Sequence, residues 1–167
     1  VLAHGYEPEV GQAIGRVFSE EGIRVVTNAA VHSVRREGDE IVATASVGGE
    51  RREYRAQRFM VATGRRPNTD GIAIERSGVS VNGRGEVVVD EYLRTNVPHI
   101  FAAGDVVGRQ AGSQMATPVG SQDGGIATRN AFSANGMRPV DHRVIPRCIF
   151  TDPQVAVVGM TEDEAIA

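Results

Sequence analysis

Asp105 closes a short apolar run, Ile100-Phe101-Ala102-Ala103-Gly104-Asp105. Such a run suits the end of a buried strand, and a carboxylate at its mouth is costly unless donors meet it there. Ligands of open α/β sheets bind beyond the carboxyl ends of strands. Asp105 is therefore a candidate acceptor for ligand hydroxyls, with Gly104 permitting close packing; the same residue also suits the capping of a turn. A second candidate is Gly64, in Ala62-Thr63-Gly64-Arg65-Arg66-Pro67-Asn68 after the apolar Phe59-Met60-Val61-Ala62. Lacking a Cβ, it lets a ligand approach the backbone, although a tight turn explains it equally well. The third candidate is Met115-Ala116-Thr117-Pro118, which opens a helix. The first amides of a helix are unpaired donors at its positive end and suit an anion or electron-rich acceptor. The plainer alternative is a Thr N-cap followed by Pro.

These candidates need elements to hold them. Glu7-Pro8-Glu9 starts a helix whose apolar residues Val10, Ile14, Val17 and Phe18 share one face, with Gly22 as its cap. Val1 to His4 and Ile23 to Val26 read as strands on either side of it. Val31 to Arg36, Ile41 to Val47 and Glu50 to Arg55 read as a three-stranded meander, and Phe59 to Ala62 as a short buried strand. Ile100 to Ala103 is a further expected strand, and Gly108 to Ser113 a polar loop. A helix is expected from Thr117 to about Ala134. Gly120, Gly124 and Gly125 within it each cost about 1 kcal/mol relative to alanine and call for a reason, such as close approach of a neighbour or cofactor. Cys148 to Phe150 and Val155 to Gly159 are strand-like around Thr151-Asp152-Pro153. The order is that of an α/β protein.

With 167 residues, 41% hydrophobic and 23% charged, the chain has the composition of a soluble globular protein. The net charge of -3 and scattered basic residues exclude a nucleic-acid surface. No apolar run approaches the roughly 20 residues of a membrane span, and no signal segment opens the chain. One cysteine, Cys148, forms no internal disulfide and fits a reducing, cytoplasmic setting. By its burial habit a lone Cys between Arg147 and Ile149 reads as a small core residue rather than a metal ligand. His32, His99 and His142 have no metal spacing and read as surface or turn residues. The chain begins mid-strand by pattern and ends in TEDEAIA, a helix start, so an internal piece of a longer protein is expected.

ATGRRPN, then TNVPHIFAAGD, then ATPVG, in that order, resembles the flavin-dependent pyridine nucleotide–disulfide oxidoreductases over essentially the whole chain. The resemblance implies parts of two Rossmann-like dinucleotide-binding domains, three-layer ββα with a β-meander, plus the start of an α+β dimerisation domain. It places the latter part of an NAD(P)-binding domain at residues 1–63, the returning segment of an FAD-binding domain at 64–143, and the start of the dimerisation domain at 144–167. Carried over by position, Asp105 accepts hydrogen bonds from the ribityl chain of FAD, and the Thr117 amide meets the pyrimidine end of the flavin ring. Gly104, Met115, Ala116 and Pro118 belong to the same cofactor-binding set, while Gly64 and Val31 line the nicotinamide-nucleotide site. The loop from Asp105 to Met115 is longer than the family pattern.

Nicotinamide preference follows from the first residues. NAD-selecting members carry an acid at the position of Ala3, to bind the ribose hydroxyls. NADP-using members often carry Arg at the position of His4, and a partly cationic His there favours NADPH; an exposed loop His is the bland alternative. Phe150-Thr151-Asp152-Pro153-Gln154-Val155-Ala156-Val157-Val158-Gly159 resembles most the mercury-reducing branch of the family. The resemblance implies an FAD-dependent oxidoreductase passing electrons from NADPH through a cysteine pair, absent from this chain, to Hg2+. It also implies a homodimer and, for the isolated chain, no activity. A reductase of dihydrolipoamide or another small disulfide, or a non-catalytic FAD-binding module, is the alternative.

Overall fold

The computed structural model describes residues 2–167. The chain divides into two compact units, one gathering the residues up to Ala62 with Pro146–Ala167, the other Thr63–Ile145.

In the first unit, helix α1 (Pro8–Glu20) starts with Pro in its first turn and turns Ile14 into the core. It ends in paired bonds, Gly22 N–H to Ser19 O and Ile23 N–H to Phe18 O, a motif that satisfies the last open carbonyls. Strands β1 (Ala29–Glu37), β2 (Glu40–Val47) and β3 (Glu50–Ala56) form the expected antiparallel meander in the order β1-β2-β3. Gly48 and Gly49 turn the second hairpin with φ of +60° and +86°, the pair of positive values that a two-residue hairpin favours.

Alternation explains the burial of the central strand. Val42 and Thr44 face one side, where Arg35 and Arg55 stand opposite Val42 across the strands. There Arg35 pairs with Glu37 and Glu53, and Arg55 with Glu37 and Glu40. The arginine stems cover apolar surface while their heads stay in water. The two guanidinium groups, through hydrogen bonds first and charge second, hold the Glu37 carboxyl below its ordinary range. Ala43 and Ala45 face the other side and are also buried.

The other strand expectations for this unit are not met. Leu2 to His4 forms only an isolated bridge, His4 to Tyr6, and Val1 lies outside the described residues. Ile23 to Val26 and Phe59 to Ala62 pair with no strand among the described residues. Met60 and Val61 are 83% and 70% exposed, so the run read as a buried strand is neither buried nor paired. A short apolar run becomes a strand only where a ladder partner meets it.

Pro146–Ala167 adds a hairpin, β4 (Arg147–Ile149) against β5 (Val155–Val157), and helix α3 (Glu162–Ile166). Arg147 stacks 5.2 Å from the Tyr6 ring centre, and the Glu162 amide donates to Glu7. Thr161 and Glu164 cap α3 reciprocally. The Thr161 amide, then its hydroxyl, holds the Glu164 carboxyl below its ordinary range. Because the folded value is depressed, this stabilisation is present above the ordinary glutamate range and is lost as pH falls through the folded value. Backbone NMR shifts of residues 162–166 are expected to move toward coil values under acid, and in E164A already at neutral pH.

In the second unit the core gathers Val79, Val87, Leu93, Val107, Val119, Ala127 and Ile145. Ile100 to Ala103 is reduced to one bridge, Arg94 with Phe101. Its turn is nevertheless tightly held. Thr95 N–H donates to Ile100 O, Ala102 N–H donates to Leu93 O, and the Thr95 hydroxyl lies 2.9 Å from Ile100 O. Helix α2 (Thr117–Ala131) ends three residues before the expected Ala134. Asn130 anchors that end, donating to Tyr92 O and Arg138 O and accepting from Arg138 N–H.

Candidate functional site

The hairpin of residues 93–102 delivers Ala103 in extended form, and the chain then enters a 3₁₀ turn, Gly104–Val107, that carries Asp105. This turn packs against α2 at a point where neither side has a side chain. A Cβ at Gly104 would stand 3.5 Å from Gly120 Cα, and one at Gly120 would stand 3.4 Å from Gly104 Cα. Gly120 thus has the close neighbour its helical position calls for. Gly124 and Gly125 face open space within 4 Å.

The Asp105 carboxylate is part-exposed and forms an ion pair with Arg65, Oδ2 to Nη2 at 2.5 Å. Oδ1 has additional lone pairs with which to accept from hydroxyls. Gly64, next to Arg65, has no other atom within 4 Å of its built Cβ, so the backbone there is open to a ligand. No side chain caps α2 at its start. Thr117 and Val119 at that end have no intrahelical acceptor for their amides, and Pro118 offers no N–H. Met115, just ahead, holds φ at +52°, a strained value for a non-glycine residue and one that clusters at ligand sites. Gly64, Gly104, Asp105 and Met115 to Pro118 therefore lie in one unit, with an acidic acceptor and open helix amides. The set offers a hydrogen-bond acceptor and open amide donors within that unit.

His4 and Val31 belong to the other unit. His4 is exposed and borders a hollow of about 460 Å³ with Ala3, Tyr6, Gly11 and Gln12. A Cβ on Gly11 would lie 2.6 Å from Leu2 O, so α1 rides directly on the backbone that leads to His4. Val31 is 57% exposed and borders a second hollow of about 600 Å³ with Arg24, Ala29, Tyr54 and Phe59.

Two placements differ from the sequence reading. Cys148 is exposed on β4 instead of buried in a core, because its strand has one partner and no covering layer among the described residues. His142 is no simple surface residue: its Nε2 lies 2.7 Å from Oδ1 of Asp123, which is fully buried in α2. The signal for that acid was present, since Val119, Asp123 and Ala127 fall at i, i+4 and i+8 of one helical stripe. The Arg65–Asp105 pair spans 40 residues and carries no local signal. Among the described residues no three His, Cys, Asp or Glu side chains converge as a metal site, and no helix is long and apolar enough to cross a membrane.

A glycine-bordered acid and an uncapped helix start share one unit, and the class is defined by comparison with known folds. Superposed on the HOCl-induced flavoprotein disulfide reductase RclA from Escherichia coli, the chain gives a TM-score of 0.83 at 26% identity, covering 99% of this chain and 36% of that one. Residues 1–127 match the pyridine nucleotide-disulphide oxidoreductase family, and the chain belongs to it. It is 42% identical to a mercuric reductase of Streptomyces lividans, over 96% of this chain and 33% of that protein. It is 38% identical to a dihydrolipoyl dehydrogenase of Haloferax volcanii, again over 96% of this chain and 33% of that protein. The chain thus spans about a third of the length of these relatives. The family pairs FAD with a nicotinamide cofactor.

Proposed function

We propose that this chain forms the flavin-facing and nucleotide-facing part of an NADPH-dependent mercury(II) reductase. The observation that carries the reading is the grouping of Asp105, Gly104 and the uncapped start of α2 in one unit, supported by mercuric reductase relatives at up to 42% identity. Asp105 accepts hydrogen bonds from the ribityl hydroxyls of FAD, while its Oδ2 is paired with Arg65. The Thr117 amide, at the positive end of α2, faces the pyrimidine edge and favours negative charge there. Met115, Ala116 and Pro118 shape that approach. FAD, when bound, would accept the hydride from the nicotinamide and pass its electrons on, chemistry that no side chain of this chain offers. Overall NADPH gives up two electrons and becomes NADP+ with release of a proton, and Hg2+ takes both to become Hg0. A cysteine pair must stand between them, and with Cys148 alone this chain does not supply it.

In this reading residues 1–63 serve the nucleotide, 64–143 serve FAD, and 144–167 begin a homodimer contact. The identity to a dihydrolipoyl dehydrogenase keeps a dithiol acceptor as the second reading. NADPH preference rests on Ala3, where an acid would select NAD, and on exposed His4 beside its hollow. The flavin of the loaded protein is expected to be reduced with higher catalytic efficiency by NADPH than by NADH. H4A is expected to narrow that difference. Equal efficiency with both nucleotides in the unaltered protein contradicts the preference.

A further inference from the structure

We propose that His142 is a positioning residue: its ring is the wedge that fixes Gly112 to Thr117, and with them the open amides at the start of α2. Asp123 is fully buried in the middle of that helix, and its Oδ1 meets His142 Nε2 at 2.7 Å. Its Oδ2 has no hydrogen-bond partner in the protein. A carboxylate so placed is costly unless something pairs with it, so Asp123 holds the imidazole firmly. The other edge of the ring is pressed on Gly112. A Cβ there would stand 2.5 Å from His142 Nδ1 and 3.3 Å from Cε1, and Gly112 also takes φ of +81°.

The segment that bears the ring is docked independently. Gln122 Nε2 donates to Asp141 O at 3.1 Å, and Ile145 is buried. The Asp141 carboxylate is engaged by Arg143 through Nε and Nη2.

From Gly112 the path to the helix start is short and constrained. Ser113 is 2% exposed, and its Oγ accepts from the Met115 amide at 3.2 Å. Met115 then takes its strained φ, and Ala116 accepts the first α2 bond shown for this end, from Gly120 N–H. Displacing the ring therefore releases Gly112, and the slack passes to Thr117. What the amides hold rests on the FAD reading; the positioning itself is a property of this chain.

Hydrogen exchange of the flavin-free protein, followed amide by amide, tests this. In H142A the Met115 and Gly120 amides are expected to exchange at least tenfold faster, while Ala102, bonded to Leu93 O in the same unit, keeps its rate. H142Q, which retains an N–H donor for Asp123, is expected to restore protection. G112A is expected to act like H142A. G136A is the control, because Gly136 has φ of +95° but nothing within 4 Å; it is expected to leave Met115 and Gly120 unchanged. Unchanged exchange in H142A, an equal rise at Ala102, failure of H142Q to restore protection, or identical behaviour of G112A and G136A overturns the proposal. If H142A does not fold with Asp123 left unpaired, the two glycine variants decide the matter alone. Because no flavin is used, a protein that failed to bind FAD would refute the cofactor reading and leave this result standing.

Discussion

Asp105→Ala is expected to weaken FAD binding by about ten- to a hundredfold in the flavoprotein carrying this chain, with almost no change in thermal unfolding. The size follows from the chemistry of the acceptor. Hydrogen bonds to an ionised carboxylate contribute about 1.5–3 kcal/mol, and about 1.4 kcal/mol is a factor of ten in affinity. Stability is spared because the Asp105–Arg65 pair is largely solvated, with the Arg65 side chain 69% exposed. Exposed pairs of this kind contribute about 0–1 kcal/mol. Asp105→Asn retains an oxygen acceptor without the charge, so it is expected to fall between the two. Titration of the stripped protein with FAD, read by quenching of flavin fluorescence, measures the binding loss, and a melting curve measures the rest. An Asp105→Ala protein that binds FAD normally would remove this residue from the site.

Gly120→Val is expected to lower both the stability of residues 63–145 and the affinity for the flavin. Gly104 and Gly120 meet backbone to backbone, with a built Cβ on Gly120 already 3.4 Å from Gly104 Cα. The two additional methyl groups of valine have no room unless the 3₁₀ turn and α2 separate. Overpacking of this kind costs about 1–3 kcal/mol, and the separation would carry Asp105 away from the α2 amides it accompanies. Gly124→Val places the same side chain on the same helix facing open space, so no overpacking is expected there, and the better helix propensity of valine gives a small gain, well under 1 kcal/mol. Urea unfolding of the two variants beside the unaltered protein checks the difference. Equal destabilisation by both would mean that valine in the helix, and not the close approach, is what matters.

The features legible in the amino-acid sequence were the local ones. Helix α1, the meander, the hairpin after Pro146 and the helix at Thr117 all announced themselves by period, turn residues and caps. Runs whose structure depends on a distant partner did not. Ile23 to Val26 and Phe59 to Ala62 have strand composition, yet no described segment pairs with them, and Phe59 to Val61 are exposed. The same limit applies to the site. Asp105, Gly104 and Thr117 were singled out because each ends or begins an element. Arg65 was missed as the partner of Asp105, and His142 as the partner of Asp123, because those pairings join positions 40 and 19 apart. Such contacts are set by tertiary packing and leave no mark in the neighbouring residues. Buried Asp123 lay between, visible on an apolar stripe, with its partner invisible.

Nicotinamide oxidation by the flavin-loaded protein, followed at its absorbance band with Hg2+ or a dithiol-forming disulfide such as lipoamide as the sole acceptor, tests the proposed function most directly. NADPH is expected to be consumed at a rate that rises and saturates with Hg2+, one Hg0 formed per NADPH, and to be nearly untouched with lipoamide. Rapid turnover with lipoamide and none with Hg2+ would contradict the mercury assignment and place the protein with the dihydrolipoyl dehydrogenases.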